Sequence, residues 1–258
     1  MNKILKKSIK QIKEHKSILI IFIIYLLFMS SSSIYFFIIK RIRDAFMCLV
    51  FMLIVPAFFV VQQILKVEFG SIFIGLCLFI AVGGILGACF DFYHLIPMFD
   101  DILHTVSGFI FSSLGYSVVK SFFGKDDTKR KFIGSIVLGA LFSLAIGLIW
   151  ELFEFGMNVI FGFDMLGDTI IPRFNSYLLS GTHSEYLSIN NIFRTIIEYG
   201  NNEIYIIEGG YLDLGGLDSM MDMFVCFIGA LIFLIITRLS YSFFPKFNKM
   251  LLPKLQNE

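Results

Sequence analysis

Residues 18–39 contain no charged side chain, and that run restricts the chain more than any other feature. A helix of that length covers a hydrocarbon core about 30 Å thick. Five more stretches are nearly as apolar, over 45–65, 70–90, 101–123, 132–157 and 217–241, the last three with a few charged residues. Lipid offers no water to backbone groups, so each stretch must be helical. The composition agrees: 57% of residues are hydrophobic, 16% are charged and the mean hydropathy is +0.82. A soluble domain would carry about 25% charge. The expected fold is all-α, a polytopic transmembrane helical bundle of six spans with a long outer loop between the last two. Pro56, inside the second span, predicts a kink there.

Residues 1–258 read as one integral membrane domain, with 162–216 as an extracytoplasmic loop. That loop is long to be structureless, so an interfacial helix is expected over 188–199 and a short extended piece within 202–216. Net charge is +1, and no basic cluster alternates with aromatics, which argues against nucleic acid and leaves membrane lipid as the partner. Cys48, Cys77, Cys89 and Cys226 sit in or beside apolar segments without metal-like spacing, which predicts buried thiols. The basic N-terminus followed by an apolar run resembles a signal peptide. The run is too long for one and no small-residue cleavage site follows, so a retained first helix is expected.

Lysine and arginine placement sets the orientation. Six lysines precede the first span, which places the N-terminus in the cytoplasm. The basic loop 125–131 and the C-terminal tail fall on the same side, and 162–216 falls outside with two arginines and seven carboxylates. One loop disagrees: KRIRD, 40–44, is basic yet falls outside in this arrangement.

Three spans carry acidic groups at one end. In span four, Asp100 and Asp101 lie four and three residues before His104, so either pairs with it on one helical face, which continues through Gly108, Ser112 and Gly115. Span five presents Gly139, Ser143, Gly147, Glu151, Glu154 and Asn158 on one face. Span six presents Asp218, Asp222, Cys226 and Gly229. Small residues let transmembrane backbones approach closely. The three faces are therefore expected to meet and to gather the carboxylates with His104 near the outer surface.

Clustered carboxylates cannot all stay charged in a low dielectric without a cation or a shared proton. Asp101, His104, Glu151, Glu154, Asp218 and Asp222 form the expected metal set, and carboxylates with one imidazole suit Mn²⁺, Zn²⁺ or Fe²⁺. Glu154 and His104 are the candidates for moving protons. The plainer reading makes Asp100, Asp101 and Asp218 helix caps. It does not extend to Glu151 or Asp222, which lie at least a turn inside their helices. His94 reads as an interfacial histidine with a local hydrogen bond, His183 as solvent-facing, and Trp150 as a packing or anchoring residue. Asp164 and Asp168 read as turn residues, and Arg173 and Arg194 are the cations of the outer loop.

The stretches DFYHLIPMFDDILHTVSG, WELFEF and LDSMMDMFVCFIGA together resemble the YjdF-like family of small bacterial membrane proteins. Phe99, Asp100, His104 and Gly108 match its first motif, Trp150, Glu151 and Glu154 its second, and Asp218 and Asp222 its third. Ser219 replaces the family threonine and keeps the hydroxyl. The resemblance covers 90–240 and implies fold and polarity. It names no substrate or reaction.

Three functions stay open. A membrane enzyme would use the metal to activate water or polarise a lipid or amphiphile, although no lysine or arginine lies beside the cluster to clamp phosphate. A proton- or cation-coupled transporter would protonate Glu151 or Asp222 during passage, although the polar groups stop near one face. A scaffold would dock a partner on its outer loop.

Overall fold

A computed structural model describes residues 16–124, 128–244, 247–248 and 251–255. The N-terminal lysines before Lys16, residues 125–127 of the basic loop, and the tail residues Lys246 and Lys249 lie outside them. Among the described residues, six helical stretches are long and apolar enough to cross a membrane: Leu19–Ile38, Ile42–Leu65, Ile72–Phe90, Phe99–Phe123, Lys129–Phe161 and Gly216–Phe243. The helices are α1 (Lys16–Ile38), α2 (Ile42–Met52), α3 (Ile54–Leu65), α4 (Ser71–Phe90), the single turn α5 (Phe92–Leu95), α6 (Phe99–Phe123) and α7 (Lys129–Phe161). After the long connection comes α9 (Gly216–Phe243). The architecture is the expected all-α bundle with a long loop region between the fifth and sixth spans.

The second span is two helices rather than one kinked helix. Pro56 has no N–H to return to the carbonyl of Met52, and the helix breaks at Leu53. Beside the break, the Tyr25 hydroxyl on α1 donates to the carbonyl of Phe51. The KRIRD turn lies between the first two spans. Its Arg41 and Arg43 flank the buried carboxylate of Asp44, at 2.5 and 3.1 Å.

The chain divides into two compact units, residues 1–148 with 222–258, and 149–221. In the first, the core gathers Met29, Phe36, Cys48, Phe73, Ala81 and Ile85 from the first three spans. A second cluster joins Tyr116, Phe132, Ile136 and Phe233. All four cysteines are buried thiols. Strand β1 (Val67–Glu68) pairs antiparallel with the tail strand β8 (Lys254–Leu255), Glu68 opposite Lys254.

The second unit consists largely of short antiparallel pairs. Strand β2 (Asp168–Ile171) pairs with β7 (Tyr211–Leu214), β3 (Phe174–Ser176) with β4 (Leu187–Ile189), and β5 (Arg194–Tyr199) with β6 (Glu203–Glu208). The turn helix α8 (Tyr177–Ser180) is capped by Ser176, whose hydroxyl accepts from the Leu179 N–H at 3.2 Å. Residues 188–199 therefore form strands where an interfacial helix was expected. Ile189, Ile192, Phe193, Ile196 and Ile197 fit a helical spacing, but Thr195, Ile196 and Ile197 are β-branched and favour extended backbone. The positive φ of Gly200 (56°) and Asn202 (66°) then turns the chain back onto itself, and hairpin pairing outweighs helical periodicity.

Candidate metal centre

Helix α6 starts after Met98, which holds a left-handed conformation (φ 63°) and turns the chain into the helix. Asp100 and Asp101 occupy its first turn, and His104 follows one turn in. On α9, Asp222 lies six residues past the first residue, Gly216, too deep to cap the helix end.

Glycines bring these two helices into backbone contact. A Cβ on Gly108 would stand 2.1 Å from the Cys226 carbonyl oxygen, and one on Gly229 would stand 1.9 Å from the Thr105 carbonyl oxygen. No other residue fits at either point. N-terminal to this crossing, His104 of α6 and Asp222 of α9 face each other. Helix α7 joins through Gly139, where a Cβ would meet the Ser112 carbonyl oxygen at 2.6 Å. The hydroxyls of Ser112 and Ser143 both donate to the Gly108 carbonyl, each at 2.7 Å, which ties α7 to α6 by a hydrogen bond between helices. The small-residue faces read from the sequence do meet.

His104 Nε2 lies 3.7 Å from Asp100 Oδ1 and 3.7 Å from Asp222 Oδ2. One ligand atom from each of the three residues falls within 4.8 Å of the others. Both 3.7 Å separations exceed a hydrogen bond. They approach the spacing of about 3.0–3.4 Å between two ligands on one ion with bonds of about 2.0–2.2 Å. The three side chains would have to draw together around a divalent cation, most of all the two carboxylates, which the 4.8 Å limit leaves the farthest apart. Asp222 is buried, with 5% of its side chain exposed, while His104 and Asp100 keep 19% and 39%. The cluster therefore has one enclosed carboxylate and two partly exposed members, His104 and Asp100. Three protein ligands leave coordination positions for water or substrate.

Among the described residues, this trio is the group of His, Cys, Asp and Glu that can converge on an ion. His104 and Asp222 come from the set expected from the sequence. Asp100, which the sequence offers both as a cap and, like Asp101, as a helical-face partner of His104, is the third member. Asp101 lies beside Asp100 in the first turn, outside the trio. Glu151, buried, and Glu154, half-buried, lie on α7 within the second unit, and Asp218, in the first turn of α9, belongs to that unit too. The Asp218 carboxylate accepts the Gly167 N–H at 2.6 Å and packs on that glycine. Near it, the Asp213 carboxylate accepts the Leu217 N–H at 2.6 Å. Burial, and then the carboxylates of Asp164, Asp213 and Asp218, hold the Asp168 carboxyl above its ordinary value.

The remaining expected residues have local roles. His94 Nδ1 sits 2.6 Å from Asp91 Oδ1, both exposed. His183, Arg173 and Arg194 are exposed. Asp164 accepts from the Asn158 amide at 3.3 Å. Trp150 packs against Phe153 with ring centroids 5.5 Å apart.

Six membrane-length helices with a carboxylate–imidazole cluster able to coordinate a metal define a multi-pass membrane protein with a potential metal-binding site. The family model described as "Predicted membrane protein (DUF2238)" matches residues 16–171, more than half of the chain, and the protein belongs to that family. The match includes Asp100 and His104 and ends before Asp222. No curated protein and no solved structure matches the chain.

Proposed function

We propose that Asp100, His104 and Asp222 hold a divalent cation, Mn²⁺, Zn²⁺ or Fe²⁺, and that the ion serves a metal-dependent enzyme acting on a lipid or amphiphile. The observation that carries this reading is the placement of His104 Nε2, 3.7 Å from a carboxylate oxygen on each of two helices. One imidazole and two carboxylates form a mixed N/O donor set of the kind these ions take. Three protein ligands, two of them partly exposed, suit a reaction in which bound water is activated. The lysine-rich N-terminus supports a bacterial plasma-membrane protein with cytoplasmic termini and an outward-facing site. The motifs around His104, Glu151 and Asp222 support kinship with the YjdF-like proteins in particular.

Elemental analysis of purified full-length protein tests the reading. About one metal ion per chain is expected. Asp222→Asn and His104→Ala each lower the affinity by more than about 100-fold, since loss of a supporting residue alone costs 10- to 100-fold. Retention of the metal in both variants, or no metal at any concentration tested, overturns it. Asp101→Asn, Glu151→Gln, Glu154→Gln and Asp218→Asn in the same assay ask whether the wider set takes part. Proton or metal flux into liposomes, abolished by Asp222→Asn, would instead identify a transporter.

A further inference from the structure

We propose that strand β5 is a self-complementary edge at which two copies of this chain join their hairpins into one four-stranded sheet. Among the described residues, β5 pairs with β6 alone and has no strand on its other edge. The Gly209 N–H donates to the Phe193 carbonyl at 2.8 Å in the β5–β6 register. Antiparallel bonding alternates along a strand, so odd-numbered residues of β5 bond to β6. The backbone N–H and C=O groups of Arg194, Ile196 and Glu198 therefore point to the open edge. An open edge of this kind is a template for another strand.

The side chains select the partner and the register. A second β5 running antiparallel, with Ile196 opposite Ile196 of the second copy, places Arg194 opposite Glu198 of that copy, and by symmetry does so twice. It also sets Phe193 across from Tyr199. Sliding by two residues either way puts Arg194 opposite Ile196 or Gly200 and loses both charge pairs. Sliding by one turns the wrong faces together and opposes backbone groups that point away. The register on Ile196 is thus the one in which charge and hydrogen-bond parity agree.

The exposed surface is also what such a sheet would use. Ile196 and Ile206 face each other on the hairpin and are 50% and 47% exposed. Doubling the hairpin turns that pair into an unbroken row of four isoleucines across four strands. The opposite face carries the Thr195 hydroxyl, which donates to the Gly210 carbonyl at 2.8 Å, so the isoleucine row is the one left uncovered. A lone two-stranded hairpin is marginal in water, whereas three or more strands with an apolar face hold together.

The test uses the full-length protein in membranes and in mild detergent. Ile196→Cys should give a dimer on oxidation with copper phenanthroline, and Ile204→Cys, on the far strand, should not. Arg194→Glu and Glu198→Arg should each lower the dimer fraction by about tenfold or more, because each turns both symmetric attractions into repulsions. Arg194 also faces Glu208 across its own hairpin, so all of these variants are made in a Glu208→Gln background. There the double reversal Arg194→Glu with Glu198→Arg should restore the dimer, which separates a register effect from a folding defect. A chain that is monomeric by mass and uncrosslinked at position 196 overturns the proposal. So does a dimer indifferent to the single reversals, or one the double reversal fails to rescue.

Discussion

Where α6 crosses α9, a single methyl group has no room; along the β5–β6 hairpin, whole isoleucine side chains stand half exposed. The two regions meet the same requirement by opposite means. Helices satisfy their backbone groups internally, so α6 and α9 can press carbonyl against glycine without losing a hydrogen bond. Strands satisfy theirs only through a neighbour, so a two-stranded hairpin keeps open edges. Tight packing fixes the geometry of the carboxylate–imidazole cluster in the first region. Open edges leave the second able to add a partner.

Single substitutions can break or sharpen that contrast. The largest effect is expected from Gly229→Ala, whose Cβ would stand 1.9 Å from the Thr105 carbonyl oxygen. Backbone cannot yield as a side chain does, and the overpacking should cost about 3 kcal/mol in reversible unfolding from mixed micelles. Gly134→Ala, on α7 with nothing within 4 Å, should instead gain about 0.5–1 kcal/mol from helix propensity. Equal losses at the two positions would remove the basis of the contrast.

A smaller effect, about 1 kcal/mol in the same unfolding assay, is expected for Ser143→Ala, which removes one of two donors to the Gly108 carbonyl. Ser112 keeps its own bond to that oxygen, so the carbonyl stays satisfied and the loss stays modest. The smallest lies in the second unit. Asp168 has its folded value raised by burial and by Asp164, Asp213 and Asp218. Its stabilising contribution is therefore complete below the unfolded value of about 3.9 and fades as pH rises through the folded one. Hydrogen exchange in the β2–β7 pair, corrected for intrinsic rates, should show slightly more protection at low pH than at neutral pH. Asp168→Asn should flatten that dependence.

The spans and the glycine faces were legible because lipid admits few solutions: a long uncharged run must be a helix, and small residues every turn must be a contact. Gly108, Ser143 and Gly229 show it at single positions. The choice between Asp100 and Asp101 was less accessible. Both lie within one turn of His104, and only the rotation of α6 against α9 sets Asp100 near Asp222. Residues 188–199 misled for another reason. Their apolar spacing fits a helix, while the deciding information sits outside the window, in the Gly200–Asn202 turn and in strand β6. The contraction at Pro56 into two separate helices was legible only as a kink, because sequence places the missing donor but not the break that answers it.

That break bears on how the chain enters the membrane. Beside a carbonyl that Pro56 leaves without its helical donor, the Phe51 carbonyl is met by the hydroxyl of Tyr25 from the preceding span. A second span inserted alone would carry polar backbone into hydrocarbon with nothing to receive it. Synthesis delivers the N-terminal segment first. The first helix is then already in place when the second arrives, and its Tyr25 hydroxyl stands ready to receive the Phe51 carbonyl.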